Sequence, residues 1–247
     1  MQDPGRPCVL LFAGLDPSGG AGLLADAEAV REMGARPLCV ATALTVQSTR
    51  RALRFQAAAP LLVQDSARLL LEDEDVRAVK IGMVGAPQVA QAIFDLLQGR
   101  GLPIVVDPVL ASSSGAALIK GGPEPYLQLL RGAIVTPNAP EAEALCGLPV
   151  RTVAGQEAAG RALLLLGARA ALVKGGHVGD SLGADCTDVL VDESGVLSFS
   201  GPRVTPKKRG TGCRLSSALA ARLALGASLR EATQVANAFV RRYLTML

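Results

Sequence analysis

The sequence has no tryptophan, a single histidine (His177), and aromatic residues at only 3%. That leaves little to stack on unpaired bases. Charge of one sign is also missing: the net value is +3, with basic and acidic residues interspersed. A nucleic-acid binder needs a one-sided basic field, so that class is set aside. The five cysteines, Cys8, Cys39, Cys146, Cys186 and Cys213, are far apart and form no C-x-x-C pair. With one histidine they make no structural zinc site. An odd cysteine count, and a polar stretch from Met1 to Arg6 without the basic-then-apolar order of an export signal, point to a reducing cytoplasm. No apolar run approaches the ~20 residues of a membrane span. The expectation is a soluble cytoplasmic enzyme or binding protein.

What is present is apolar: 49% of 247 residues, enough to bury a sizeable core. Short apolar runs alternate with segments of helical period. Strands are predicted over Cys8–Ala13, Pro37–Leu44, Ala78–Ile81, Pro103–Val106, Ala133–Thr136 and Ala170–Val173. Thr187–Val191 and Val196–Phe199 read as a β-hairpin. Helices are predicted over Gly20–Met33, Leu61–Leu71, Pro87–Gln98, Pro123–Leu130, Ala139–Leu145, Glu157–Leu166, Leu215–Leu225 and Leu229–Leu244. This alternation implies one domain over 1–247 with a mostly parallel sheet covered on both faces. The Gly/Ser stretch Ala111–Gly122 reads as a loop within that pattern. Ligands of such folds sit beyond the carboxyl ends of the strands. Asp16, Gln47, Lys80, Asp107, Asn138 and Lys174 all fall there.

Four constellations carry chemistry. Gly210-Thr211-Gly212-Cys213 opens the helix predicted from Leu215. Glycines admit close backbone approach, and the first helical amides lack an internal acceptor, so the segment suits a phosphoryl group in transfer. Lys207, Lys208, Arg209 and Arg214 surround it with positive charge. Taken alone, it also reads as a turn with a solvated basic stretch. Cys213, in the first turn beside Arg209 and Arg214, is expected to favour the thiolate and to act as a base; the alternative is a small buried apolar residue. Asn138-x-x-Glu141 has two readings as well. One is a helix-capping box. The other places Glu141, with Asp107, on a water-bearing Mg²⁺. Ala13–Gly22 is too glycine-rich for an ordinary turn, yet lacks the Walker lysine and the dinucleotide spacing. It suits packing against a flat ligand. Lys174-Gly175-Gly176-His177 follows a strand and suits a nucleotide phosphate, or else a polar surface turn.

In this order the segments resemble those of the hydroxymethylpyrimidine/phosphomethylpyrimidine kinases of the ribokinase-like superfamily. AGLDPSGGAGLLAD, Ala13–Asp26, is similar to the family's opening signature, and TALTVQSTR, Thr42–Arg50, to its TAL-x-x-QNT segment. KIGM (Lys80–Met83), DPV (Asp107–Val109), TPN-x-x-E-A (Thr136–Ala142), KGGH (Lys174–His177) and GTGC (Gly210–Cys213) complete the set. The resemblance implies a ribokinase-like three-layer α/β/α sandwich with a mostly parallel central sheet, often a homodimer. It implies ATP and Mg²⁺ as cofactors and two successive phosphorylations of a pyrimidine alcohol of thiamine biosynthesis. In that reading Gly14, Asp16, Gln47, Met83 and Val109 hold the substrate. Gln47 bonds the pyrimidine and Met83 packs on the ring. Asn138 and Lys174 hold ATP, and Asp107 and Glu141 the metal. Gly210, Thr211, Gly212 and Cys213 are catalytic. Sugar kinases of this superfamily commonly carry Asp where Cys213 stands, whereas some pyridoxal-phosphorylating relatives share the Cys. A pyridoxal or related vitamin kinase, and a pyrimidine-binding regulator with little turnover, are the alternatives. Three positions depart from the family pattern: Arg209 replaces a His, Arg214 a Thr, and Ser48 an Asn.

Overall fold

A computed structural model describes residues 5–111, 118–119, 122–176, 185–204 and 208–245. In chain order the elements are β1 (Cys8–Leu15), α1 (Gly22–Glu32), β2 (Arg36–Gln47), β3 (Ala52–Ala57), α2 (Pro60–Asp73), β4 (Val76–Ile81) and α3 (Pro87–Leu97). There follow β5 (Ile104–Val106), α4 (Glu124–Leu127), β6 (Ile134–Val135), α5 (Ala139–Cys146), α6 (Val153–Leu165) and β7 (Ala170–Val173). The chain closes with β8 (Asp185–Asp192), β9 (Gly195–Pro202), α7 (Thr211–Ala224) and α8 (Leu229–Thr245). Among the described residues nine strands form one sheet in the order β3-β2-β1-β4-β5-β6-β7-β8-β9. The pairs from β2 through β7 are parallel, while β3 and the β8–β9 hairpin are antiparallel.

Strand residues alternate between two apolar layers, as the period-2 geometry of a strand dictates. From β1, Cys8, Leu10 and Phe12 enter the layer shared with Val63 of α2, Ile93 of α3 and Leu163 of α6. Val9, Leu11 and Ala13 enter the other, with Val30 of α1, Leu219 of α7 and Phe239 of α8. Helices therefore cover both faces, and the predicted sandwich with its mostly parallel sheet is the one observed. The edge strand β3 was not anticipated. Its residues are half-buried or exposed, Leu53 at 64%, so backbone pairing with β2 rather than a buried face makes it a strand. The helix predicted over Pro123–Leu130 shrinks to the four residues of α4, and α1 begins at Gly22 rather than Gly20.

One fully buried ion pair ties three of these elements together. Lys80 Nζ at the end of β4 donates to both oxygens of Asp26 in α1, at 2.9 and 2.8 Å. Ser217 Oγ of α7 donates to the same carboxylate at 2.8 Å. Both ionic side chains are 0% exposed. Removing one partner of such a pair strands the other charge, whereas removing both does not. Lys80→Met alone is therefore expected to cost about 3–5 kcal/mol in urea unfolding. The Lys80→Met/Asp26→Leu double variant should recover most of that loss, and equal losses in the two would show that packing rather than charge is what the site needs.

Candidate active site

The carboxyl ends of the parallel strands open on a cavity of about 660 Å³. Gly14, Asp16, Gln47, Met83 and Val109 line one end; Asp107, Asn138, Glu141, Lys174 and Gly210–Cys213 line the other. These residues, singled out in the sequence, are thus brought to one space. His177 and Lys207 lie outside the described residues.

The first end is built on the loop between β1 and α1. Asp16 is buried, and its carboxylate accepts from Ser18 N (2.9 Å), Ser18 Oγ (2.7 Å) and Gln47 Nε2 (3.1 Å). Gln47 ends β2 and is thereby aimed across the cavity by an acid partner. Met83 lies directly on Gly14, where a Cβ would come within 2.7 Å of its sulfur. The Thr42 hydroxyl donates to the Met83 carbonyl and pins that segment. Tyr126, buried in α4, shares its hydroxyl between the carbonyls of Gly82 (3.0 Å) and Val109 (3.2 Å). Burial pushes that hydroxyl well above its ordinary pKa, so it remains a donor.

The second end depends on close backbone contact. Gly210 has φ +71°, and a Cβ there would meet the Gly20 carbonyl oxygen at 2.2 Å. It caps α7 without a side-chain acceptor. Arg214 N is the first amide bonded within the helix, to Gly210 O at 2.9 Å. The amides of Thr211, Gly212 and Cys213 thus have no acceptor within the helix, an arrangement with the chemistry to accept an anion. Gly212 faces Lys174 and Asp107: a Cβ there would come within 3.0 Å of Lys174 Nζ and 3.7 Å of Asp107 Oδ2.

Lys174 follows β7, and its amide bonds to Pro137 O at 2.8 Å. Its ammonium sits 2.8 Å from Asp107 Oδ1 and 3.8 Å from Glu141 Oε2. Burial works against that charge, but the two carboxylates hold its pKa well above the usual amine range. Glu141 also completes a capping box, with Oε2 accepting from Asn138 N (2.8 Å) and its own N–H donating to Asn138 Oδ1 (2.9 Å). The two sequence readings are compatible, since one oxygen caps the helix while the carboxylate lies beside Lys174 and near Asp107. Burial raises the Glu141 pKa to about 7, with Lys174 opposing and Asp107 adding to the rise.

Cys213 corrects an expectation. Sequence proximity predicts Arg209 and Arg214 as its thiolate partners, but both are engaged elsewhere. Arg214 pairs with Glu28 and lies 4.2 Å from the centre of the Tyr243 ring. Arg209 bonds to Ser48 O and Asp16. Burial pushes the Cys213 thiol up to about 11, and the groups that oppose this are Lys80 and the Gly22 amide at the start of α1. The sequence marked Lys80 as polar at a strand end without giving it a role. Its link to Asp26, 54 residues away, has no local signal.

The cavity continues beyond the residues anticipated. Cys186, Asp188, Pro202, Arg203 and Val204 of the hairpin region, and Val240, Arg241 and Leu244 of α8, extend its wall on the Lys174 side. Asp188 accepts the Gly175 amide at 2.7 Å, and Arg203 donates to Gly176 O at 2.9 Å. In the sequence Val240 and Leu244 read only as part of the closing helix, and Pro202 and Val204 lie beyond the hairpin strand predicted to Phe199.

The three-layer sandwich, with its glycine loops at the carboxyl edge of a mostly parallel sheet, has the ribokinase-like fold. The family profile described as phosphomethylpyrimidine kinase matches residues 16–246. The chain is 34% identical over 239 residues to the hydroxymethylpyrimidine/phosphomethylpyrimidine kinase of Aquifex aeolicus, covering 94% of this chain and 91% of that one. It is 39% identical over 245 residues to the thiamine biosynthesis bifunctional protein ThiED of Geobacter sulfurreducens, covering 97% of this chain but 49% of that longer protein. The crystal structure of phosphomethylpyrimidine kinase from Clostridium difficile 630 superposes with a TM-score of 0.85 at 32% identity, covering 97% of this chain and all of that one. The chain belongs to the phosphomethylpyrimidine kinase family. No helix of the described residues is long and apolar enough to cross a membrane.

The thiol's environment is directly measurable. With its pKa raised to about 11, Cys213 should alkylate about tenfold faster per pH unit from pH 7 to 9, without a plateau, because only the thiolate reacts. Mass spectrometry of the Cys213 peptide would follow this separately from the other four cysteines. A plateau below pH 8 would show that the thiolate is stabilised beyond what Lys80 and Gly22 provide.

Proposed function

We propose that the protein transfers the γ-phosphoryl group of ATP to the hydroxymethyl oxygen of 4-amino-5-hydroxymethyl-2-methylpyrimidine, and then to the resulting monophosphate. The observation carrying this reading is a single cavity joining the Gln47–Asp16 end to the Gly210–Cys213 end. The relatives' names favour the same chemistry. Gln47 and Met83 orient the ring, with Gly14, Asp16 and Val109 shaping its pocket. With a pKa of about 11, Cys213 is mostly a thiol, so the step runs from its minor thiolate form. The acceptor O–H passes its proton to that Sγ as the oxygen bonds to the γ-phosphorus, and the bond from that phosphorus to the bridging oxygen breaks to release ADP. The amides of Thr211, Gly212 and Cys213 hold the phosphoryl oxygens in flight. Lys174 and Asn138 face the nucleotide phosphates, and the apolar wall of Pro202, Val204, Val240 and Leu244 suits the base.

Mg²⁺ fits the donors present. Two carboxylates, Asp107 and Glu141, already hold one cation between them, the Lys174 ammonium. A hydrated Mg²⁺ needs only one or two such oxygens. When bound, the ion neutralises phosphate charge.

The direct test is product formation from ATP with the pyrimidine alcohol, its monophosphate, or pyridoxal as acceptor. Transfer to pyridoxal alone would overturn the assignment. Gln47→Ala should raise KM for the pyrimidine far more than for ATP, and equal effects would remove Gln47 from the pocket. Cys213→Ala should lower kcat by roughly 10²-fold or more while the protein stays folded by thermal melt. A kcat near wild type would leave Cys213 as a packing residue.

The metal reading has its own pH signature. Glu141 binds a cation only when ionised, and its pKa is raised to about 7. The Mg²⁺ concentration for half-maximal activity should therefore be higher at pH 6 than at pH 8. In Glu141→Gln it should be high throughout and lose that pH dependence. An unchanged Mg²⁺ titration in a less stable Glu141→Gln protein would assign Glu141 to helix capping alone.

A further inference from the structure

Arg209 stands between the two ends of the cavity. Its Nη1 donates to Ser48 O at 2.7 Å, and Nη2 reaches Asp16 Oδ2 at 3.4 Å. A Cβ placed on Gly20 would lie 3.6 Å from Nη1, so the guanidinium also borders the glycine loop. Its backbone is anchored from behind, where Tyr243 Oη of α8 donates to the Arg209 carbonyl at 3.2 Å. The next residue in the chain is Gly210, the cap of the anion site. The side chain runs from that cap to the wall of the ring pocket and keeps 23% exposure.

Its hold on Asp16 is weak. That carboxylate already accepts three shorter bonds, from Ser18 N, Ser18 Oγ and Gln47 Nε2. A guanidinium carries five N–H donors in a planar fork that matches phosphate oxygens. The hydrogen bonds to Ser48 and Asp16 leave donors for a ligand. An alcohol acceptor places no charge between ring and anion site. A monophosphate acceptor must place its own phosphate there, between the ring and the incoming phosphoryl group.

We propose that Arg209 recognises the phosphate of the monophosphorylated acceptor and so sets the preference of this chain for the second transfer over the first. This rests on the functional reading above. The histidine of the resembled family pattern would offer at most two N–H donors and no permanent charge. Arg209 offers a permanent charge and a fork.

The test compares kcat/KM for the alcohol and for the monophosphate, at saturating ATP, in wild type, Arg209→Met and Arg209→Lys. The ratio of monophosphate to alcohol kcat/KM should fall roughly 10- to 100-fold in Arg209→Met, the scale of a lost charge-assisted hydrogen bond, mainly through KM for the monophosphate. Arg209→Lys, which keeps the charge without the fork, should fall less, and it carries the test if the Met variant melts early. An Arg209 that only latches the two loops together would lower both activities alike; an unchanged ratio overturns the proposal. If wild type phosphorylates neither acceptor, the functional reading fails by itself. Calorimetric titration with the monophosphate then decides the role of Arg209: weaker binding to Arg209→Met than to wild type supports it, and equal affinities overturn it.

Discussion

The Lys80–Asp26 ion pair is the constraint around which the site is arranged. Both side chains are fully buried, so each charge is tolerable only while the other is held in hydrogen-bonding geometry. That requirement sets the position of α1 relative to the end of β4, and Ser217 adds α7 to the same carboxylate. The glycine loop precedes α1, and the Gly210–Cys213 segment opens α7. Both chemical loops are thereby referred to one strand of the central sheet. The same pair shapes the electrostatics at Cys213, because the Lys80 ammonium opposes the rise in thiol pKa that burial imposes while Asp26 and Asp107 add to it.

Glycine then brings the two loops together. A Cβ on Gly22 would meet the Gly14 carbonyl oxygen at 2.2 Å, and one on Gly210 would meet that of Gly20 at the same distance. Both have positive φ, so shape and conformation select the same residue at each position. The Gly22–Gly14 contact closes the first loop on itself, and the Gly210–Gly20 contact lays the second loop on the first, with the Arg214 guanidinium beside it. That places the Gly22 amide beside the Cys213 sulfur, and it leaves the first amides of α7 uncovered at the cavity end. Of the basic side chains near the segment in sequence, Arg214 donates to the Gly20 carbonyl at 3.4 Å and pairs with Glu28 over the Tyr243 ring, while Lys208 turns to the Tyr243 ring and carbonyl.

Much of this was legible because it is local. Strands buried on both faces read as apolar runs, and β1, β4 and β7 lie where such runs fall. The capping box at Asn138 and Glu141 is a spacing of three residues and formed as read. What was not legible is either weakly patterned or remote. The edge strand β3 has no buried face, so no periodicity marks it. The charge partners of Cys213 and Arg209 could not be assigned by proximity in the chain. Arg209 follows Lys208 and precedes Gly210, yet its side chain is spent 161 and 193 residues away, on Ser48 and Asp16. The pairing of Lys80 with Asp26 likewise depends on the β1–β4 register, which no local pattern encodes.

The charges around the cavity are already partnered, and they differ in how readily they exchange. Lys80 is bound through both oxygens of Asp26 and has no exposed surface, so it acts on ligands only through its field. Lys174 is 13% exposed and shares Asp107 and Glu141, while Arg209 is 23% exposed and holds its acid at 3.4 Å. Incoming phosphates would draw these two away more readily than Lys80. For Lys174 the exchange is coupled. A divalent cation taking over the two carboxylates would release the ammonium toward phosphate, and a phosphate engaging the ammonium would expose the carboxylates to the cation. Because the two exchanges share one three-residue cluster, each lowers the cost of the other. On the proposed roles of Asp107, Glu141 and Lys174, linkage then requires that metal and nucleotide favour one another's binding through these three residues, in addition to any contact between metal and phosphate.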